Sequence, residues 1–287
     1  FIQSLTAVQE DSIGNIWLAS SSTGLYKFDK YKNIISKFEE DSKNSFKTIN
    51  SNRIECLNYI QETDKLFIGT RKGLNILDIK SETFSYYTIN ASENSEKCNS
   101  MGGMFRDSRN ILWICTYDGL VTFDEKNNCI KRFVLSDSDD VLSDTSIHCI
   151  CEDDDGFIWA STRRKDLVCF DFKTKNYDKI KLTKSEGSPI YLKNINSNVI
   201  WIGVDWNYTL KIDRQLKKFY NLKNLGTSRI IDIATDSENN ILYSYYSASL
   251  YKGKLNNSNF NSEKVSEFKD KLVFRISSDI NDNFWIT

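Results

Sequence analysis

One column of turn-forming residues recurs along the whole chain and constrains its fold more than any other feature. The column stands three positions before a large apolar residue in seven segments, at Gly14, Asp64, Asn110, Gly156, Asn198, Asn240 and Asp282. The apolar anchors that follow are Trp17, Phe67, Trp113, Trp159, Trp201, Tyr243 and Trp285. Gly, Asn and Asp tolerate a positive φ angle in a tight turn. The chain is therefore built from seven related segments of similar length.

Two further columns mark turns in several of the segments. An aspartate precedes the tight turn at Asp11, Asp107, Asp153, Asp236 and Asp279, where its carboxylate can accept hydrogen bonds from the backbone of the turn. A glycine follows the anchor strand at Gly24, Gly73 and Gly119. Short apolar and aromatic runs lie between these residues, as is typical of strands. Each segment is predicted to form four short strands joined by turns.

Four strands per segment and seven segments predict an all-β chain that forms a seven-bladed β-propeller of four-stranded antiparallel blades. A linear solenoid is the rival architecture, but it would need capping units that the sequence does not show. The last blade is incomplete, because the chain reaches Thr287 after its second strand. Residues 1–287 are predicted to form one domain, with blades at about 1–40, 53–89, 100–135, 146–182, 190–222, 229–268 and, in part, 272–287.

Composition excludes several classes of function. The 38 basic and 39 acidic side chains are interspersed and leave a net charge of −1, so electrostatics give no reason to expect binding to nucleic acid. The sequence has no apolar run long enough to insert into a membrane. The seven cysteines contain no CxxC pair, and we expect neither a metal site nor a disulfide framework. The ends of the sequence suggest a segment of a longer protein.

Three segments carry a recognisable family pattern. They are VQEDSIGNIWLASSSTGLYKFD (Val8–Asp29), FRDSRNILWICTYDGLVTFD (Phe105–Asp124) and CEDDDGFIWASTRRKDLVCFD (Cys151–Asp171). Each resembles the two-component regulator propeller repeat. The resemblance implies the extracytoplasmic sensor region of a bacterial membrane receptor, of the hybrid two-component or diguanylate cyclase type. It transfers no ligand-binding positions, because the shared residues belong to the scaffold.

Functional residues are expected on the loops that do not repeat, and above all on those between the second and third strands of each blade. Arginine and lysine there are suited to a carboxylate, sulfate or phosphate, and aromatic side chains are suited to sugar rings or apolar ligand faces. Solvated charges and packing between blades are the structural alternatives. The candidate ligand-binding residues are Tyr117, Asp118, Arg163, Arg164, Lys165, Asp205, Trp206, Tyr208, Tyr245 and Tyr246.

Enzyme chemistry finds little support in the sequence. The single histidine, His148, lies between apolar neighbours in a predicted innermost strand. The motifs of serine hydrolases, zinc proteases and P-loop proteins are absent. Some lyases that open cyclic peptide antibiotics have a propeller of similar repeat style, and this activity is kept as a minor alternative.

We therefore predict a non-catalytic, ligand-sensing propeller without cofactors, located on the periplasmic or cell-surface side of a membrane-anchored bacterial receptor. The expected partners are a small molecule, glycan or peptide ligand, and a second receptor copy that forms a homodimer through the full-length protein. A protein–protein interaction platform without a small ligand is the principal alternative.

Overall fold

The computed structural model describes residues 4–29, 36–41, 45–89, 99–133, 146–162, 166–174, 176–181, 189–196, 199–204, 209–213, 218–221, 230–236, 238, 240–245, 249–256, 259–269, 271, 273, 276–278 and 284–286. These residues form strands and two 3-10 helices, Ser45–Lys47 and Ser266–Phe268. The chain divides into two compact units, Phe1–Ile147 and His148–Thr287, which are described separately.

The first unit contains three four-stranded antiparallel sheets, each a simple meander along the chain. The first sheet has strands β1 (Leu5–Glu10), β2 (Asn15–Ser20), β3 (Leu25–Asp29) and β4 (Ser36–Phe38). The second has β5 (Ile54–Ile60), β6 (Lys65–Thr70), β7 (Gly73–Asp78) and β8 (Thr83–Tyr87). The third has β9 (Met101–Arg106), β10 (Leu112–Thr116), β11 (Gly119–Asp124) and β12 (Cys129–Arg132).

The second unit continues the same pattern, starting with β13 at the boundary between the units. Its first sheet has β13 (Ile147–Glu152), β14 (Ile158–Thr162), β15 (Asp166–Phe170) and β16 (Tyr177–Lys181). The next has β17 (Pro189–Asn196), β18 (Val199–Val204), β19 (Thr209–Asp213) and β20 (Lys218–Asn221). The third has β21 (Ile230–Thr235), β22 (Asn240–Tyr245), β23 (Ser249–Asn256) and β24 (Asn259–Lys264), and a last pair is β25 (Ile276–Ser278) with β26 (Phe284–Ile286).

The structure corrects the predicted number of blades. The all-β class and the four-stranded antiparallel blade are as expected, but the count of seven is wrong. Among the described residues, β25 and β26 pair with each other alone and do not make a four-stranded blade. The anchor column does not count complete blades, because each anchor marks only the second strand of a segment.

The anchor residues are buried between neighbouring sheets. Trp17 packs with Ile54, Leu66 and Phe84 of the second sheet, and Phe67 packs with residues of the third sheet. In the second unit, Trp159 packs with Leu192 of the following sheet. Full burial of such a side chain contributes roughly 1.5–3 kcal/mol. Stacking of the blades within each unit therefore depends on the repeated aromatic positions.

The predicted tight-turn column is confirmed at four positions. Gly14, Asp64, Asn110 and Gly156 have φ angles of 82°, 52°, 66° and 83°. Of the other members, Asn240 begins β22, and Asn198 and Asp282 lie outside the described residues. Gly and Asn or Asp occupy these positions because other side chains are strained in the left-handed region.

The repeated aspartate binds the tight turn and the anchor at once. Oδ1 of Asp11 accepts hydrogen bonds from the backbone N–H groups of Ile13 and Asn15, at 3.2 and 2.8 Å. Oδ2 accepts from the indole Nε1 of Trp17 at 3.0 Å. Asp107 and Asp153 bind their turns and their anchor tryptophans in the same way, with the indole bond at 2.9 Å in both. The carboxylate therefore satisfies a buried indole that would otherwise lack an acceptor.

Two cysteines of β13, the half-buried Cys149 and the buried Cys151, lead to a prediction about chemical reactivity. Burial raises the pKa of the Cys149 thiol to about 12, and it raises that of Cys151 well above its usual range. Because the thiolate is the reactive species, we expect iodoacetamide at about pH 8.5 to leave both residues unmodified in the folded protein. The half-buried Cys129 on β12 is the internal comparison and should be alkylated. Mass spectrometry of tryptic peptides measures this, and equal labelling of Cys151 and Cys129 would contradict it.

Candidate functional site

The turns that join second and third strands lie beside the starts of the innermost strands in the first unit. The backbone N–H of Ser21 donates to the carbonyl of Ser4 at 2.9 Å. Likewise, the backbone N–H of Arg71 donates to the carbonyl of Arg53 at 3.3 Å, and the backbone N–H of Tyr117 donates to the carbonyl of Ser100 at 3.2 Å. We call residues 21–24, 71–73 and 117–119, with these partners, the turn edge. It is the edge where the sequence predicts functional residues.

A hydroxyl residue closes each of these turns, a feature that the sequence reasoning missed. Oγ1 of Thr116 donates to the carbonyl of Gly119 at 2.7 Å and accepts from the backbone N–H of Asp118 at 3.1 Å. Thr70 accepts from the N–H of Lys72 at 3.0 Å, and Ser20 accepts from that of Thr23 at 3.1 Å. The signal was present in the sequence, because Ser or Thr ends the second strand in each of these three segments. These bonds hold the turns, and so fix the positions of the side chains they carry.

Two arginines and one glutamate meet on the second blade. Nε of Arg71 donates to Oε1 of Glu55 at 2.9 Å, and Nε of Arg53 donates to the same oxygen at 3.1 Å. The Arg53 and Arg71 side chains are 52% and 41% exposed, whereas that of Glu55 is 19% exposed. The hydrogen bond to Glu55 raises the pKa of Arg71. None of these residues was among the sequence-based candidates, because Arg53 and Arg71 are adjacent only after the strands pair.

Tyr117 extends this cluster onto the third blade. The Cζ atom of Arg71 lies over the Tyr117 ring, 5.5 Å from its centroid. Tyr117 is 39% exposed, which makes it one of the few large apolar side chains on the surface of the described part of the chain. A guanidinium stacked on an aromatic ring is stabilised by attraction to its negative face. The structure therefore brings one predicted site residue together with the unpredicted arginines. We call Arg53, Glu55, Arg71 and Tyr117 the arginine–tyrosine cluster.

Asp118 is held within its own blade. Nη2 of Arg132 donates to its Oδ2 at 2.9 Å, and Nη1 of Arg132 donates to its backbone carbonyl at 2.9 Å. This bidentate contact ties the turn to β12 and fixes the residue next to Tyr117. A role for Asp118 in ligand binding stays a prediction.

Tyr245 lies in the interior of the second unit. It ends β22, is 3% exposed, and packs against Tyr243 and Tyr251 with ring centroids 5.4 and 5.2 Å away. Burial raises the pKa of Tyr245 above its usual range and that of Tyr243 to about 12. Its placement is that of a packing residue, the structural alternative considered from the sequence.

The remaining candidates lie outside the described residues. They are Arg163, Arg164, Lys165, Asp205, Trp206, Tyr208 and Tyr246. Their proposed role in binding stays a prediction.

His148 is half-buried in β13. Within the part of the chain that the structure describes, no group of three or more His, Cys, Asp or Glu side chains is arranged to hold a metal ion. In the same part, no helix combines the length and apolar character that crossing a bilayer requires.

Solved structures share this fold. The extracellular domain of BT4673 from B. thetaiotaomicron, described both as a putative one component system and as a putative hybrid two component system, aligns with a TM-score of 0.74 and 18% identity. The alignment covers 99% of this chain and 37% of that one. The extracellular domain of the putative hybrid two component system BT3049 from the same organism aligns with a TM-score of 0.65 and 18% identity. This alignment covers 98% of this chain and 43% of that one. The chain thus spans well under half the length of these proteins.

An enzyme shares the fold as well. Virginiamycin B lyase from Staphylococcus aureus aligns with a TM-score of 0.75 and 10% identity, over 100% of this chain and 92% of the lyase. At such identities the likeness is one of fold: these are β-propeller proteins, and the chain has their architecture of four-stranded antiparallel blades.

The family comparison is more specific. Residues 141–164 match the family model described as two component regulator propeller. The match overlaps the segment Cys151–Asp171 and confirms the resemblance inferred from the repeats. No curated protein matches the chain.

Proposed function

We propose that this chain is a non-catalytic, ligand-sensing propeller, the extracytoplasmic input region of a bacterial membrane signal-transduction receptor. The observation that carries the proposal is the arginine–tyrosine cluster, whose Arg53, Arg71 and Tyr117 side chains are exposed at the turn edge of a scaffold whose repeated anchor residues are buried. The match to the two component regulator propeller model and the likeness to extracellular domains of such systems support the receptor assignment.

A ligand on the turn edge would act through the packing of neighbouring blades. Arg71 belongs to the second blade and Tyr117 to the third, so a ligand that contacts both favours one relative position of the two sheets. Binding shifts a conformational equilibrium only by as much as the affinities for the two states differ. In a full-length receptor, this preference would be passed on as a change in the geometry of a dimer.

A screen tests the proposal directly. We expect a thermal-shift screen of glycans, peptides and small anions to find at least one compound that stabilises the chain. A compound present at 100 times its dissociation constant adds roughly 2.7 kcal/mol to the stability of the folded state. The Arg71→Gln variant should lose this stabilisation while its own unfolding temperature stays close to that of the parent.

The screen also separates the alternatives. If no compound stabilises the chain but a purified protein partner binds it, the interaction-platform hypothesis replaces the sensor. The lyase alternative is supported by a likeness of fold, and it predicts cleavage of a cyclic peptide antibiotic that depends on added divalent metal and is lost in His148→Ala. We expect no such cleavage.

A further inference from the structure

We propose that the arginine–tyrosine cluster is a receptor for a carboxylate or sulfate group carried on a flat ring. This assigns a ligand class to the site and rests on the proposed function, which places the ligand on the turn edge. Arg53 and Arg71 bind the oxyanion, Glu55 positions them, and Tyr117 lies against the ring.

The hydrogen bonds to Glu55 leave the binding ends of both arginines available. Each guanidinium donates to Glu55 through Nε, at 3.1 Å for Arg53 and 2.9 Å for Arg71. The terminal Nη groups, which form the planar fork that binds carboxylate and sulfate oxygens, make no hydrogen bond to another described residue. Since both Nε atoms donate to one oxygen, the two guanidinium groups lie near each other, and we infer that one small anion bridges their terminal groups.

The charges of the cluster also favour an anion. Two guanidinium groups share one carboxylate, so the group carries a formal charge of +1. Lys131 with Asp124 and Lys27 with Glu82, by comparison, each join one cation to one carboxylate. An exposed pair of that kind contributes about 0–1 kcal/mol to stability. A second arginine on the same carboxylate therefore adds little to folding, but supplies the excess charge that an anion requires.

Tyr117 gives the site a preference for the group that carries the anion. Its ring is 39% exposed and lies beside Arg71, which it contacts by a cation–π interaction. A flat ring attached to the anion can pack on the remaining surface of Tyr117 while its charged group reaches Arg71. Acetate, which has no ring, should bind more weakly than an aromatic carboxylate.

Calorimetric titration of the full chain with benzoate, phenyl sulfate, benzamide and acetate tests this assignment. We expect benzoate or phenyl sulfate to bind at least tenfold more tightly than the uncharged benzamide, and the ratio between them separates a planar from a tetrahedral anion. Arg71→Gln and Arg53→Gln should each weaken binding at least tenfold. Tyr117→Ala should remove the preference for benzoate over acetate.

Two variants separate binding from folding. Lys131→Gln removes one cation from an exposed pair elsewhere in the first unit and should leave the affinity within twofold. Glu55→Gln keeps an oxygen acceptor for the arginines but removes the competing negative charge, so it should tighten anion binding several-fold. A purely structural cluster would not respond in this way.

The outcomes are distinguishable. Equal binding of benzoate and benzamide, or unchanged affinity in both arginine variants, overturns the oxyanion assignment. If a neutral compound stabilises the chain in the screen while neither anion binds, the sensor proposal stands without this ligand class. If no compound binds at all, both the oxyanion assignment and the sensor proposal are contradicted.

Discussion

Replacing Asp11 by alanine is expected to lower the free energy of unfolding by about 3–5 kcal/mol. The carboxylate is 5% exposed and accepts four hydrogen bonds, from the backbone of Ile13 and Asn15, the Asn15 side chain and the Trp17 indole. Each buried donor left without an acceptor costs about 1–3 kcal/mol, although part of this is recovered where water enters. Urea unfolding followed by tryptophan fluorescence measures the change.

Asp124→Ala is the matched control for this prediction. Asp124 also accepts four hydrogen bonds, from Lys126, Asn127 and Lys131, but it lies at the surface, where water replaces the lost acceptor. We expect its removal to cost about 1 kcal/mol or less. If the two variants lose the same stability, the buried carboxylate is not the element that joins the turn to its anchor.

The second large effect is expected for Gly73→Ala. Gly73 has a φ angle of 122°, and an added Cβ would lie 2.5 Å from the carbonyl oxygen of Tyr87. Because the obstacle is backbone of the paired strand, it cannot move without loss of pairing between β7 and β8. We expect a loss of about 2–4 kcal/mol, from backbone strain together with this clash. Thermal and urea unfolding both report it.

Gly102→Ala provides the comparison within the same unit. Gly102 lies in β9, and an added Cβ would meet no atom within 4 Å. Its replacement should change stability by no more than about 0.5 kcal/mol. A similar loss of stability in both variants would contradict the explanation that the positive φ angle and the nearby Tyr87 carbonyl make position 73 intolerant of a side chain.

The scaffold was accessible from the sequence because its determinants are local. Turn residues such as Gly14 and Asn110 stand at fixed distances from their anchors, and the structure places both at positive φ. The role of Asp11 in binding the following turn was predicted for the same reason. Its bond to the Trp17 indole was not, because spacing alone does not show which way a buried ring faces.

The candidate site was only partly accessible. Tyr117 was selected as an aromatic residue on a loop between second and third strands. Arg71 lies on such a loop too and was overlooked, whereas Arg53 and Glu55 lie outside these loops. Arg53 and Arg71 are distant in sequence and meet because β5 pairs with β6, and the contact with Tyr117 requires the third blade to stack on the second. The blade count failed for a related reason: an anchor marks one strand, and says nothing about whether the strands that complete its sheet are present.

Hydrogen–deuterium exchange with and without a stabilising ligand tests most directly whether the turn edge of the first unit is the recognition surface. The account predicts slower exchange in residues 71–73 and 117–119 when the ligand is bound. Residues 61–64 and 107–111, which form turns at the opposite ends of the same sheets, should exchange as before. Protection confined to those opposite turns, or to residues 148–287, would contradict it.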